Sequence, residues 1–125
     1  MCNVSIHSFT PDINKEYSDS SVFVLSSRFE GFGLVLLEAM QSGLPCVTFD
    51  CPFGPSDVVG DGENGFVVPD GDIPSFAEKL SLLLEDDTLR KTYAKASVER
   101  AKLFDVSVVM SRWKTLIEGL CSQRA

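Results

Sequence analysis

Residues 26–45 constrain the topology more than any other stretch. Two apolar runs, Val22-Phe23-Val24-Leu25 and Cys46-Val47-Thr48-Phe49, flank a glycine-bearing turn and a set of strong helix formers from Leu34 to Gln41. Gly43 and Pro45 are the stop signals of that helix. Strand, turn, helix and strand in this order form the βαβ unit of a parallel sheet. Both strands read as continuous apolar runs, the pattern of strands covered on two faces.

The turn is where chemistry would sit. Gly31 and Gly33 lack a Cβ, so the backbone there can approach a ligand and take positive φ. A helix starting near Gly33 directs free N–H groups and the positive end of its dipole into the same space, which suits a phosphate. Glycine also serves simply to turn a chain, so this pattern alone leaves a plain turn and an anion site both open. Glu30 on the turn and Glu38 in the helix are separated by seven residues. Leu34 and Glu38 are four apart and share a helix face, so Glu38 can reach back towards the ligand end. Its apolar neighbours suggest a largely buried helix. The bland reading makes Glu38 an exposed helix residue and Glu30 a helix-start acid. The sharper one has two carboxylates accepting from sugar hydroxyls beside a phosphate.

The segment Glu30-Gly31-Phe32-Gly33-Leu34-Val35-Leu36-Leu37-Glu38, continuing to Pro45, resembles the Glu-x7-Glu signature of the retaining, GT-B-fold glycosyltransferases of family four, the glycosyl transferases group 1. Residues 19–27 resemble that family's preceding strand, residues 54–59 and 64–69 its following loop and last strand, and residues 104–116, with Trp113, its closing helix. The resemblance covers nearly the whole chain. It implies an α/β fold: a Rossmann-like parallel sheet of about four strands with flanking helices, part of a GT-B C-terminal domain. Residues 1–125 would be one partial nucleotide-sugar-binding domain, helical over 73–121.

By the same resemblance, the intact enzyme transfers a sugar from a nucleotide-diphosphate sugar with retention, this chain supplying the donor half-site. Glu38 would bind the ribose hydroxyls and Glu30 the hydroxyls of the sugar. Glu30 is the residue assigned as catalytic, with positioning of the sugar its implied role and a nucleophilic role the weaker option. Gly31, Phe32, Gly33 and Leu34 would present backbone N–H groups to sugar and diphosphate. Family members carry a first GT-B domain with acceptor contacts and an Arg/Lys pair that clamps the diphosphate. Both lie outside the matched segment, so the isolated chain is expected to be inactive. The expected partners are that N-terminal domain or another subunit, with a homo-oligomer as a further option. In the family a glycine is common where Ser8 stands, and no base contact is assigned here.

Composition narrows the alternatives. A 125-residue chain with 44% hydrophobic and 23% charged residues can build one ordered core. A net charge of −7 without a basic block argues against nucleic acid or an anionic membrane surface as partner. Cys2, Cys46, Cys51 and Cys121 show neither CxxC nor zinc spacing, and His7 is the one histidine. No metal or cofactor is expected. Unpaired thiols and the lack of a signal-peptide pattern suggest the cytoplasm, with the intact enzyme peripheral at the inner membrane as an option. No apolar run nears the ~20 residues of a membrane span.

In the rest of the chain, residues 3–9 alternate as a strand, and Thr10-Pro11-Asp12 opens a short helix ending about Tyr17. Ser56 is a candidate cap for a short helix to Val59, and residues 65–68 read as the last strand. Three helices follow: one behind Asp72 and Pro74, one after Asp86-Asp87 to about Leu103, and one capped by Asp105. The last carries an apolar stripe of Val106, Val109, Met110, Trp113, Leu116, Ile117 and Leu120. Two rivals to the enzyme reading are a non-catalytic sugar-nucleotide-binding module and a subunit-interaction module.

Overall fold

The computed structural model describes residues 3–123. Its elements are α1 (Ile13–Ser18), β1 (Phe23–Leu25), α2 (Leu34–Gln41), β2 (Cys46–Asp50), α3 (Pro55–Val58), β3 (Gly65–Pro69), α4 (Ile73–Glu85), α5 (Asp87–Ala101), a 3₁₀ turn (Lys102–Phe104) and α6 (Val106–Ser122). The three strands are parallel in the order β1-β2-β3, with Phe23 opposite Cys46 and Cys46 opposite Gly65.

The central strand explains the two cores. Successive side chains of a strand point to opposite faces, and Cys46 to Phe49 are all buried. Cys46 packs with Leu36, Ala39 and Met40 of α2, Val58, Val59, Ala101 and Tyr17. Val47 and Phe49 pack on the other face with Phe66, Val68, Leu83 and Tyr93. Burying each large apolar side chain contributes about 1.5–3 kcal/mol, so β2 organises the domain.

Local chemistry closes the elements. Gly43, at φ +80°, ends α2 in a Schellman motif: its N–H donates to Met40 O and that of Leu44 to Ala39 O. Asp72 caps α4 by accepting from the N–H and the hydroxyl of Ser75, and Asp86 caps α5 by accepting from Leu89 N–H. The turn before β3 is fastened to α5. Asn64, 1% exposed, accepts from Gly60 N–H and donates to Ser97 Oγ. The Tyr93 hydroxyl donates to Gly62 O at 2.8 Å.

Several expectations need correction. Residues 3–9 form no strand, and each of them is exposed, so the sheet among the described residues has three strands rather than about four. A strand persists only as part of a ladder, and the described ladders join β1 to β2 and β2 to β3. The cover on β1 is likewise partial: Val24 is 45% exposed because β1 is an outer strand. Ser56 lies inside α3, whose cap is Gly54 with Pro55 at its first position. Asp105 occupies the cap position of α6, yet its side chain makes no capping bond. Cys2 lies outside the described residues.

The stripe of α6 is not core. That helix buries none of its residues, and Trp113, Leu116, Ile117 and Leu120 are each half-exposed. Its main contacts are with the 3₁₀ turn. Among the described residues no helix is long and apolar enough to cross a membrane.

Candidate functional site

Two loops leave the carboxyl ends of neighbouring strands, residues 26–33 after β1 and residues 51–54 after β2. In an open parallel sheet this is the rim where ligands bind, because the helices that follow present their N-termini there. The first loop leads into α2 through Gly33, which is buried at φ +83° and caps the helix without a side-chain bond. A side chain at that φ would be strained, and its Cβ would crowd Leu36 Cδ1 at 3.1 Å. Gly31 differs. Its φ is not positive, and a Cβ there would meet only open space.

The backbone of this turn is unspent. The N–H groups of Gly31, Phe32, Gly33, Leu34 and Val35 find no acceptor among the described residues, and that of Leu36 is the first to be satisfied, by Gly33 O at 2.9 Å. No acidic residue stands in the first turn of α2 to neutralise its dipole. Such a set of donors accepts an anion readily.

The two carboxylates sit differently around it. Glu30 is half-buried on the turn and close to Cys51, which is 3% exposed in the facing loop. Burial pushes the Cys51 thiol up and the Glu30 carboxylate adds to this, while backbone N–H groups of Cys51 and Glu30 oppose it. Glu38 is exposed, on the same open face of α2 as Leu34 one turn earlier. The expected largely buried helix is therefore only half right: Leu36, Ala39 and Met40 are its buried positions. Glu38 Oε2 accepts from the buried Tyr17 hydroxyl at 3.1 Å.

Neighbours outside the motif hold the turn in shape. The Phe32 ring packs edge-on to Phe104 with centroids 5.7 Å apart, and Gly54 lies beneath the Phe32 carbonyl. Sequence patterns do not point to Tyr17 as a companion of Glu38. Nothing in local spacing links positions 17 and 38; only the tertiary cluster that seats Tyr17 with Leu36, Ala39 and Met40 does. Among the described residues no group of three His, Cys, Asp or Glu side chains is placed to hold a metal ion.

Comparison with known proteins fits this architecture. The sequence profile described as "Glycosyl transferases group 1" matches residues 2–100. An exopolysaccharide phosphotransferase of Streptomyces coelicolor is 35% identical over 113 residues, which cover 90% of this chain and 12% of that protein. A solved mutant of Staphylococcus aureus TarM, in complex with fondaparinux, alpha-GlcNAc-glycerol and UDP, superposes with a TM-score of 0.80 at 30% identity, over 86% of this chain and 22% of its own. A GtfA/B complex superposes with a TM-score of 0.75 at 28% identity, over 88% of this chain and 23% of its own. The chain belongs to the glycosyl transferases group 1 family, and its three-stranded parallel sheet with flanking helices is a portion of the GT-B glycosyltransferase fold. It spans between about an eighth and a quarter of the length of these relatives.

Proposed function

We propose that this chain is a partial nucleotide-sugar-binding domain, the donor half-site of a retaining glycosyltransferase. The observation that carries the reading is the run of five N–H groups from Gly31 to Val35 without an acceptor among the described residues, directly after the half-buried Glu30 and one helical turn before the exposed Glu38. The donors receive the diphosphate, and Glu38 accepts from the ribose hydroxyls. Glu30, the residue assigned to catalysis, accepts from hydroxyls of the transferred sugar and positions it. As the bond to the leaving diphosphate breaks, negative charge grows on oxygens facing these fixed dipoles, which stabilise it without reorganising. No step of this scheme calls for a metal. The UDP in the solved relative is consistent with the ligand class.

A single helix start contributes about 0.3–2 kcal/mol to holding an anion, so binding by this chain alone is weak. Transfer requires acceptor contacts from an N-terminal GT-B domain or another subunit. The exposed stripe of α6 supports such a partner, since its large apolar side chains are uncovered here. The same stripe supports self-association. The proposed setting is the cytoplasm, with peripheral attachment at the inner membrane an option for the intact enzyme.

Titration calorimetry with UDP, GDP and ADP tests the reading. One nucleotide binds with one-to-one stoichiometry, and Glu38→Ala weakens it. No heat with any of the three at millimolar concentration contradicts the proposal. Binding without transfer, even with an N-terminal domain supplied, would favour a non-catalytic binding module.

A further inference from the structure

Tyr17 stands 21 residues before Glu38 in sequence and touches it in space: the phenol O–H donates to Glu38 Oε2 at 3.1 Å. The two partners are unlike in mobility. Tyr17 is 4% exposed at the end of α1, its ring edge-on to Phe23 with centroids 5.9 Å apart, inside the cluster formed by Leu36, Ala39 and Met40. Two torsions place its hydroxyl, and packing fixes both. Glu38 stands in solvent with three torsions of its own, and a free glutamate spreads over many rotamers. A bond from a fixed phenol to a carboxylate is charge-assisted, so it can select among those rotamers. It occupies Oε2 and leaves Oε1 to accept from a ligand. Burial and the Glu38 carboxylate raise the phenol to about 12, so the proton that makes the bond is retained at neutral pH.

We propose that Tyr17 is a positioning residue of the nucleotide site, its hydroxyl holding the Glu38 carboxylate in the rotamer that meets the vicinal hydroxyls of ribose. This rests on the reading in which Glu38 is the ribose ligand. Ordering the carboxylate before the ligand arrives removes an entropy cost from binding. The effect therefore falls on the ribose hydroxyls, and not on base or diphosphate.

The test measures affinities of the full chain for UDP and for 2′,3′-dideoxyuridine diphosphate, in the natural sequence, Glu38→Ala and Tyr17→Phe. The expected result is a preference for UDP that Glu38→Ala abolishes and Tyr17→Phe cuts by roughly three- to tenfold, with dideoxy binding unchanged. Because both ligands are compared on one protein, partial unfolding of Tyr17→Phe lowers both affinities equally and leaves their ratio untouched. A preference lost in Glu38→Ala and intact in Tyr17→Phe overturns the role of Tyr17 while the ribose assignment stands. Equal affinity for the two ligands in the natural sequence, or a preference that survives Glu38→Ala, overturns the ribose assignment and this proposal with it.

Discussion

Gly54 lies against the carbonyl of Phe32: a Cβ built on Gly54 would overlap that carbonyl, and Gly54 adopts φ +112°. The loop after β2 thus sets the height of the turn that carries Glu30 and the free N–H groups. Gly54→Ala must strain its own backbone and displace the turn. The expected cost is about 1–3 kcal/mol in urea unfolding, with about tenfold weaker UDP binding. Unchanged UDP affinity would separate the two loops functionally.

Arg100 ties α5 to α3. Its Nε donates to Val58 O at 2.6 Å and its Nη2 to Asp57 O at 3.2 Å, completing carbonyls at the end of a four-residue helix. Arg100→Ala leaves the part-buried Val58 carbonyl short of a donor, while the exposed Asp57 carbonyl turns to water, and is expected to cost about 1–3 kcal/mol. Lysine cannot reproduce the fork, so Arg100→Lys recovers less than half of the loss. Both are read from thermal or urea midpoints. Full recovery by lysine would reduce the contact to simple charge.

The buried Asn64 and Ser97 form a second tie. Asn64 Nδ2 donates to Ser97 Oγ, which in turn donates to Asn64 O at 3.1 Å. Ser97→Ala removes the partner of a buried amide and is expected to destabilise by about 1–3 kcal/mol, measured by urea unfolding. A neutral result would mean that another group satisfies Asn64.

Alkaline stability follows from two buried acids. Burial raises the Cys46 thiol from 9.0 to about 12, and burial with the Glu38 carboxylate raises Tyr17 from 10.0 to about 12. Each folded-state value lies above the unfolded one, so the folded chain holds the proton more tightly. The stabilisation is complete below about pH 9 and is lost progressively as pH rises to about 12. Urea midpoints should fall across that window, and Cys46→Ala should flatten the fall even though its midpoint at neutral pH is lower. An equal slope in Cys46→Ala would assign the loss elsewhere.

The α6 stripe predicts association. Trp113→Glu together with Leu116→Glu should convert a self-associating chain into a monomer by sedimentation velocity, with little change in melting temperature because neither side chain is core. A natural chain that sediments as a monomer would leave the stripe to a different partner.

Much of this is legible in the residues. The helix Leu34–Gln41 falls where its helix formers, Gly43 and Pro45 place it, because its stop signals are local. Positions 3–9 show the limit of such patterns. Val4 and Ile6 alternate as in a strand, yet Ile6 is 97% exposed, since alternation describes a face and does not supply a neighbour. The same holds for α6, where a helical stripe announces an apolar surface without saying whether this chain covers it. At the site, Glu30, Glu38 and the glycine turn are visible as a motif. Tyr17 and Phe104 are not, because their part depends on tertiary packing across sequence separations that no local period encodes.

The donor-site assignment requires the N–H groups of residues 31–35 to receive the phosphates. Amide ¹H–¹⁵N spectra of the labelled chain, recorded during a UDP titration, address this directly. The signals of Gly31, Phe32, Gly33, Leu34 and Val35 should move together with one saturation curve, while those of Leu83 and Ser97 stay in place. Stationary signals for that turn at saturating UDP, or movement gathered instead on α6, would contradict the donor-site assignment.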